Sequence, residues 1–312
     1  MQILTNLFDF NPRPHGTVVV IGNFDGVHLG HVDLLAQARR AADAHDLTLV
    51  VLTFSPHPRR FFRPDCPPFL LTRPDTQAQQ LAAHGVDVLI RMLFDRDLSL
   101  MTADTFIRDV LRARLGAHAI VVGPDFHFGH DRAGSVETMR QAGLTVITPS
   151  LRVDETGQPI SSSRIRGCLE QGHLDEASTM LGWRWFIRGT VVHGDARGRT
   201  LGYPTANIWL EETLAPAHGI YAGWVRPADA TWPASKMAAI ALGRRPMFEV
   251  PTALCEAHLL DFDGDLYDQV LDVTLVKRLR AEARFDSLEA LITQMNRDCD
   301  TARTILTDDR CT

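Results

Sequence analysis

At 312 residues the chain is longer than a single hydrophobic core usually supports, so two domains are the first expectation. Hydrophobic residues at 45% and charged residues at 22% are the composition of a folded globular protein and exclude a disordered or fibrous one. A net charge of −6 argues against holding nucleic acid by general electrostatics, yet leaves room for local basic pockets around a small anion.

In chain order, the first half alternates apolar runs with helix-like segments: "TVVVIGNF", "HVDLLAQARRAADAHD", "LTLVVLTF", then "VDVLIRML", "TADTFIRDVLRARLG", "AHAIVVG" and "LTVITP". Short runs of β-branched residues and leucine, separated by helices, predict a parallel sheet covered on both faces, a doubly wound α/β domain. "SSSRIRGCLEQGHLDEASTMLG" reads as a helical pair. Beyond it, "FIRGTVVHG", "IYAGWVRP", "MAAIALG", "LCEAHLLDF" and "QVLDVTLVKRL" are short strands punctuated by Gly, Pro and Asp, with one closing helix. That texture predicts a compact β-barrel. The boundary is expected near Gly182 and Trp183, giving domains 1–182 and 183–312.

The stretch "GNFDGVHLGH" sets His28 and His31 three residues apart where a buried strand gives way to a helix starting near Gly30. Unpaired backbone N–H groups and the helix dipole favour an anion there, and residues at that spacing share a helix face. Both imidazoles are placed to donate to oxygens whose charge grows as pyrophosphate leaves a nucleotide's α-phosphorus. A pair of surface histidines, or a metal site lacking its other ligands, is the alternative. Gly22, Asn23, Asp25, Gly26 and Gly30 surround the pair with turn chemistry.

In the second half, "HGDARGRTLGYPTAN" supplies Gly194, Gly198 and Gly202, which let a backbone approach phosphates. It lacks the Gly-Lys-Ser of a P-loop, and a glycine-rich hairpin capped by Pro-Thr is the plain alternative. The strand "LCEAHLLDF" puts Cys255, Ala257 and Leu259 on one face and Glu256, His258 and Leu260 on the other. The five cysteines, Cys66, Cys168, Cys255, Cys299 and Cys311, are scattered with no Cys-x-x-Cys spacing, so neither a disulfide framework nor a zinc site is expected. No secretory signal and no bilayer-length apolar run is read, and a cytoplasmic protein that binds neither membrane nor nucleic acid is expected.

"GNFDGVHLGH" resembles the His-x-Gly-His signature of the nucleotidyltransferase superfamily, and its Gly-Asn-Phe-Asp-Gly lead resembles the flavin adenylyltransferase branch. "LTFSPHP", "VVGPDFHFGHDRAG" and "ISSSRIR" fit that branch in order, and "GRTLGYPTAN" with "CEAHLLDFDGDLY" resembles riboflavin kinase. The chain is thus similar to the bacterial bifunctional riboflavin kinase and FAD synthetase family, which implies phosphorylation of riboflavin to FMN and adenylylation of FMN to FAD with ATP and Mg²⁺. By this resemblance His28 and His31 are catalytic, while Gly22, Asn23, Phe24, Gly30, Ser161, Ser162, Ser163, Arg164 and Arg166 bind ATP phosphates. His57, Asp125, Phe126 and Arg280 face flavin. Gly194, Gly198 and Gly202 approach the kinase nucleotide, Thr205 and Asn207 hold magnesium, and Glu256 is the carboxylate base.

The residues also carry plainer readings: an N-capped surface helix at the three serines, core packing for Phe126, a proline-stiffened turn for His57, and a basic residue ahead of a helix for Arg280. Against the family pattern, Gln77 replaces a lysine, Ser163 a threonine, Ala241 an asparagine, Met247 a threonine and Asp268 a glycine. Alternatives are a flavin-binding nucleotidyltransferase with an impaired kinase barrel, and a flavin-sensing or carrier module. A carrier has no need of groups that act only in a transition state.

Overall fold

A computed structural model describes residues 1–12, 14–194, 202–243 and 253–309. Eight strands fall in the first half: Gln2–Leu4 (β1), Thr17–Ile21 (β2), Thr48–Ser55 (β3), Val88–Leu93 (β4), Ala117–Val121 (β5), His127–Phe128 (β6), Gly134–Ser135 (β7) and Thr145–Ile147 (β8). Six of them pair in parallel in the order β1-β4-β3-β2-β5-β8, while β6 and β7 form a small separate hairpin. Alternation along the central strands splits the core. Val19, Ile21, Val50, Leu52 and Ile90 pack on one face, and Val18, Val20, Leu49, Val51 and Leu89 on the other. Every residue of β2 is buried, as a parallel strand with helices on both faces requires.

Strand order reverses between β2 and β5, because β3, β4 and β1 lie to one side and β8 to the other. In open α/β sheets the crevice outside the carboxyl ends of the strands at such a reversal is where ligands bind. The segment leaving β2 is Gly22–His31, and the segment leaving β5 contains Asp125 and Phe126. The strongest motifs of this half therefore share one end of the sheet.

One segment departs from the helix that the sequence predicts. After Ala103–Thr105 the chain winds as a π-helix over Phe106–Arg114, with the Leu115 amide bonding the Val110 carbonyl five residues back. The wider winding gathers Phe106, Ile107, Val110 and Leu111, all buried, onto a narrower face than an α-helix would give them.

In the second half Phe186–Val192 (β9), Ala206–Trp209 (β10), Gly219–Pro227 (β11), Lys236–Gly243 (β12), Leu254–Leu259 (β13) and Val270–Arg280 (β14) close an antiparallel barrel in the order β10-β13-β12-β11-β14-β9. β11 and β14 approach so closely at Gly223 that a Cβ there would stand 2.3 Å from the Thr274 carbonyl oxygen. Only glycine permits the ladder at that register shift. The barrel also carries a buried ion pair, in which both oxygens of Asp272 accept from Arg188 at 2.6 and 2.8 Å. The closing helix Leu288–Asp309 lays Ala302 and Leu306 against Ala222.

By internal contacts the compact units are Met1–Cys66 with Pro74–Ser161, and Pro67–Arg73 with Ser162–Thr312. The helices Ser162–Gln171 and Leu174–Leu181 thus group with the barrel, which also takes in Leu70 through a bridge to Thr213.

Candidate functional site

The loop after β2 is a tight, unusual backbone. Phe24 and Val27 have φ of +50° and +38°, conformations that side-chain-bearing residues seldom adopt and that cluster at functional sites. Phe24 is nonetheless buried, its ring 5.0 Å from that of His31. The Asn23 carbonyl accepts from Gln77 Nε2 at 2.8 Å and from Thr53 Oγ1 at 3.3 Å.

The loop delivers His28 to the N-cap of the helix Leu29–Asp43, where its Nδ1 accepts from the His31 amide at 3.4 Å. A nitrogen that accepts a backbone N–H carries no proton, so the His28 proton resides on Nε2. The two imidazoles stack, with centroids 3.7 Å apart and planes 19° from parallel. Burial, and then the neighbouring His28 ring, hold the His31 imidazole well below its usual range. His31 Nδ1 is buried and has no hydrogen-bond partner among the described residues. Two stacked imidazoles at a helix N-terminus, where backbone N–H groups favour negative charge, have the chemistry to receive an anion.

The other residues expected in this half spread over the same end of the sheet. His57 leaves β3 and caps the short helix Pro58–Phe62, its Nδ1 accepting from the Arg59 amide at 3.0 Å. Asp125 is exposed in the loop after β5, whereas Phe126 stacks on Phe128 and packs on the core. The sequence reading missed an aromatic group beside His57: Phe54, Phe61 and Phe62 all lie edge-on to Phe94 at 5.3 to 5.8 Å, with Phe62 63% exposed. Its signal was the paired phenylalanine directly after "SPHPRR". Ser161 ends the first unit, and Ser162, Ser163, Arg164 and Arg166 lie on the helix Ser162–Gln171 of the second, where Arg166 Nε donates to the Phe69 carbonyl at 2.8 Å.

Gln77 stands where the resembling family carries lysine, and it keeps a donor on the Asn23 carbonyl. Gln77→Leu should therefore loosen the loop and slow any reaction at the histidine pair about fivefold, the scale of one lost hydrogen bond, while Gln77→Lys, which keeps a donor, should not. Steady-state rates with each variant check this.

A cavity of about 660 Å³ opens in the barrel, lined by Thr205, Asn207, Glu256, His258, Ala241 and Arg280 among others. Asn207 and Glu256 are direct partners across β10 and β13, and Ala241 opposes Glu256 from β12. Such partners place their side chains side by side on one face. Asn207 is buried, and its Oδ1 has no hydrogen-bond partner among the described residues. A Cβ at Gly194 would lie 2.5 Å from Asn207 Nδ2, so glycine makes room for this amide. Gly202 has φ of +87° with open space around its α-carbon, and Gly198 and Met247 lie outside the described residues. Arg280 is held by Asp298 of the closing helix, Nη2 to Oδ2 at 2.7 Å, with its guanidinium 5.7 Å from the Phe285 ring centroid. Asp268 sits at φ of +63°, the conformation for which glycine is the usual choice.

A buried amide oxygen without a partner among the described residues, in a cavity that Thr205 also lines, fits a hard cation such as Mg²⁺, which takes oxygen ligands. Among the described residues no group of three His, Cys, Asp or Glu side chains could hold a metal, and no helix is long and apolar enough to cross a membrane.

The class of protein so defined joins a doubly wound α/β unit, with a histidine pair at its topological switch point, to a closed antiparallel barrel that opens onto a cavity. Residues 10–164 match the FAD synthetase family and residues 181–306 the riboflavin kinase family. The chain is 37% identical to the bifunctional riboflavin kinase/FMN adenylyltransferase of Pseudomonas fluorescens, over 98% of both chains, and 38% identical to that of Escherichia coli K12, over 97% of both. A solved structure described as a macrolide-efflux protein of Streptococcus pneumoniae superposes with a TM-score of 0.84 at 33% identity, over 96% of this chain and 98% of that one.

The chain belongs to the bifunctional riboflavin kinase/FMN adenylyltransferase family. It phosphorylates riboflavin to FMN and adenylylates FMN to FAD, with ATP, riboflavin, FMN and FAD as its small-molecule substrates and products.

Proposed function

We propose that kinase chemistry takes place at the paired Asn207 and Glu256 in the barrel, and adenylyl transfer at His28 and His31. The observation that carries the kinase assignment is that a buried oxygen lacking a described partner and a carboxylate are cross-strand neighbours in one cavity. Thr205 and Asn207 would hold Mg²⁺, which would supply positive charge against the charge of the ATP phosphates. Glu256 takes the proton from the terminal ribityl hydroxyl as that oxygen attacks the γ-phosphorus, the bond from that phosphorus to the β,γ-bridging oxygen breaks and ADP leaves, while Arg280 flanks the flavin from the cavity wall. Gly194 and Gly202 leave the backbone bare for a close approach of the nucleotide, the role that the resemblance also implies for Gly198.

For the second reaction an FMN phosphate oxygen attacks the α-phosphorus of ATP and pyrophosphate leaves. His28 and His31 donate to the oxygens on which charge accumulates, with Gly22, Asn23, Phe24 and Gly30 shaping the loop. Ser161, Ser162, Ser163, Arg164 and Arg166 supply hydroxyl and guanidinium donors to ATP, the role implied by the resemblance. His57, Asp125 and Phe126 serve the flavin, and the exposed Phe62 ring adds a stacking surface. Function divides at 182/183, a boundary supported by family matches that end at 164 and resume at 181. Both reactions consume ATP, which favours the cytoplasm.

Incubation with riboflavin, ATP and magnesium, followed by chromatography, should yield FMN and then FAD; the appearance of neither would end this reading. Residues 183–312 expressed alone should fold and still make FMN. A folded, inactive fragment would show that the kinase site needs residues from 1–182.

A further inference from the structure

β10 and β13 pair from Trp209↔Leu254 to Ala206↔Ala257, and the ladder stops there because the chain before Thr205 is Pro204, which has no N–H to donate. One register step further lies His258. Its Nδ1 is 2.8 Å from the Pro204 carbonyl oxygen, and since a carbonyl only accepts, Nδ1 carries the proton. The imidazole thus gives the Pro204 carbonyl a hydrogen-bond donor outside the ladder. The ring also lies edge-on to Tyr203 at 5.3 Å, and Tyr203 in turn donates from its hydroxyl to Asn296 Oδ1 of the closing helix at 2.6 Å. Both His258 and Tyr203 line the cavity that holds Glu256.

We propose that His258 is a positioning residue for the kinase reaction: its Nδ1–H holds the Pro204 peptide and so sets Thr205 and Asn207 against the cavity, two residues along the same strand face from Glu256. The segment Tyr203–Thr205 precedes β10 and lies outside any ladder, so its backbone direction rests on side-chain contacts of this kind. A hydrogen bond from a ring fixed on a barrel strand is a rigid one, because both its Cβ direction and its tautomer are set. This inference rests on Thr205 and Asn207 as the magnesium-holding pair.

The test compares His258→Phe, which keeps a ring beside Tyr203 but loses the donor, with His258→Asn, whose amide nitrogen returns a donor near the Nδ1 position. In the full chain, His258→Phe should raise the KM for magnesium–ATP in riboflavin phosphorylation about fivefold to tenfold. The KM for riboflavin and the rate of FMN adenylylation should stay unchanged, and His258→Asn should recover most of the loss. Calorimetric binding of ADP with magnesium should weaken by the same factor in His258→Phe, whereas ADP binding in EDTA should be equal in the two proteins. Wild-type KM and metal-dependent affinity in His258→Phe would overturn the proposal, as would equal losses in the Phe and Asn variants. Should His258→Phe fail to fold, His258→Gln, whose longer arm misplaces the donor, takes its place against His258→Asn. Asn207→Ala distinguishes the underlying reading: retention of magnesium-dependent ADP binding in that variant removes the metal assignment, whatever His258 does.

Discussion

Glu256→Gln should lower FMN production from riboflavin by about 10²- to 10⁴-fold, the contribution of a positioned general base. A ribityl hydroxyl is a poor nucleophile while protonated, and the glutamine keeps size and hydrogen bonding while removing basicity. Because the loss is confined to the transition state, the fall should appear in kcat, with riboflavin and ATP affinities little changed. Adenylylation of FMN supplied directly should continue, since His28 and His31 are untouched. An unchanged kinase rate would mean that the carboxylate beside Asn207 is only a polar wall residue, and another acceptor would have to be found around the cavity.

Replacing His28 or His31 with alanine should cut FAD formation by roughly 10²- to 10³-fold each, the cost of removing one preorganised donor. The two should not add, because the rings stack at 3.7 Å and His28 caps the helix on which His31 stands. FMN formation from riboflavin should persist in both, and its parallel loss in a folded variant would contradict the assignment. The pair also has a pH signature. His31 is held well below its usual range by burial and by His28, so in the unliganded protein it resists protonation while the unfolded chain does not. The unfolded state then binds more protons below about pH 6.5, and stability should fall as pH drops below that value. His31→Gln should flatten this acid limb in denaturant titrations between pH 5 and 7.

The central strands were legible because each is a continuous buried run, as at "TVVVI" and "TLVVLT", and the barrel because Gly, Pro and Asp divide it so regularly. β1 and β10 escaped notice because three or four residues carry too little pattern to distinguish a strand from a loop. The π-winding of Phe106–Arg114 was invisible for a different reason. Its hydrophobic spacing also fits an α-helix, and only the surface it packs against chooses between them. At the sites, the histidine pair and Glu256 announced themselves by motif. The hydrogen bonds of Gln77, His258 and Asp298 did not, because their partners Asn23, Pro204 and Arg280 are distant in sequence.

The strand count at the sheet margins has a consequence for the chain in a crowded solution. The parallel sheet ends on β1 and β8, each of three residues, and the barrel ladder closes on itself from β10 round to β9. Unpaired strand edges are templates on which other chains add, and their hazard grows with length and flatness. Among the described residues, fourteen strands expose two short open edges outside the small β6–β7 hairpin. Folded molecules accordingly offer little ladder for amyloid-like stacking, and such association would have to start from chains in which the barrel has not yet closed.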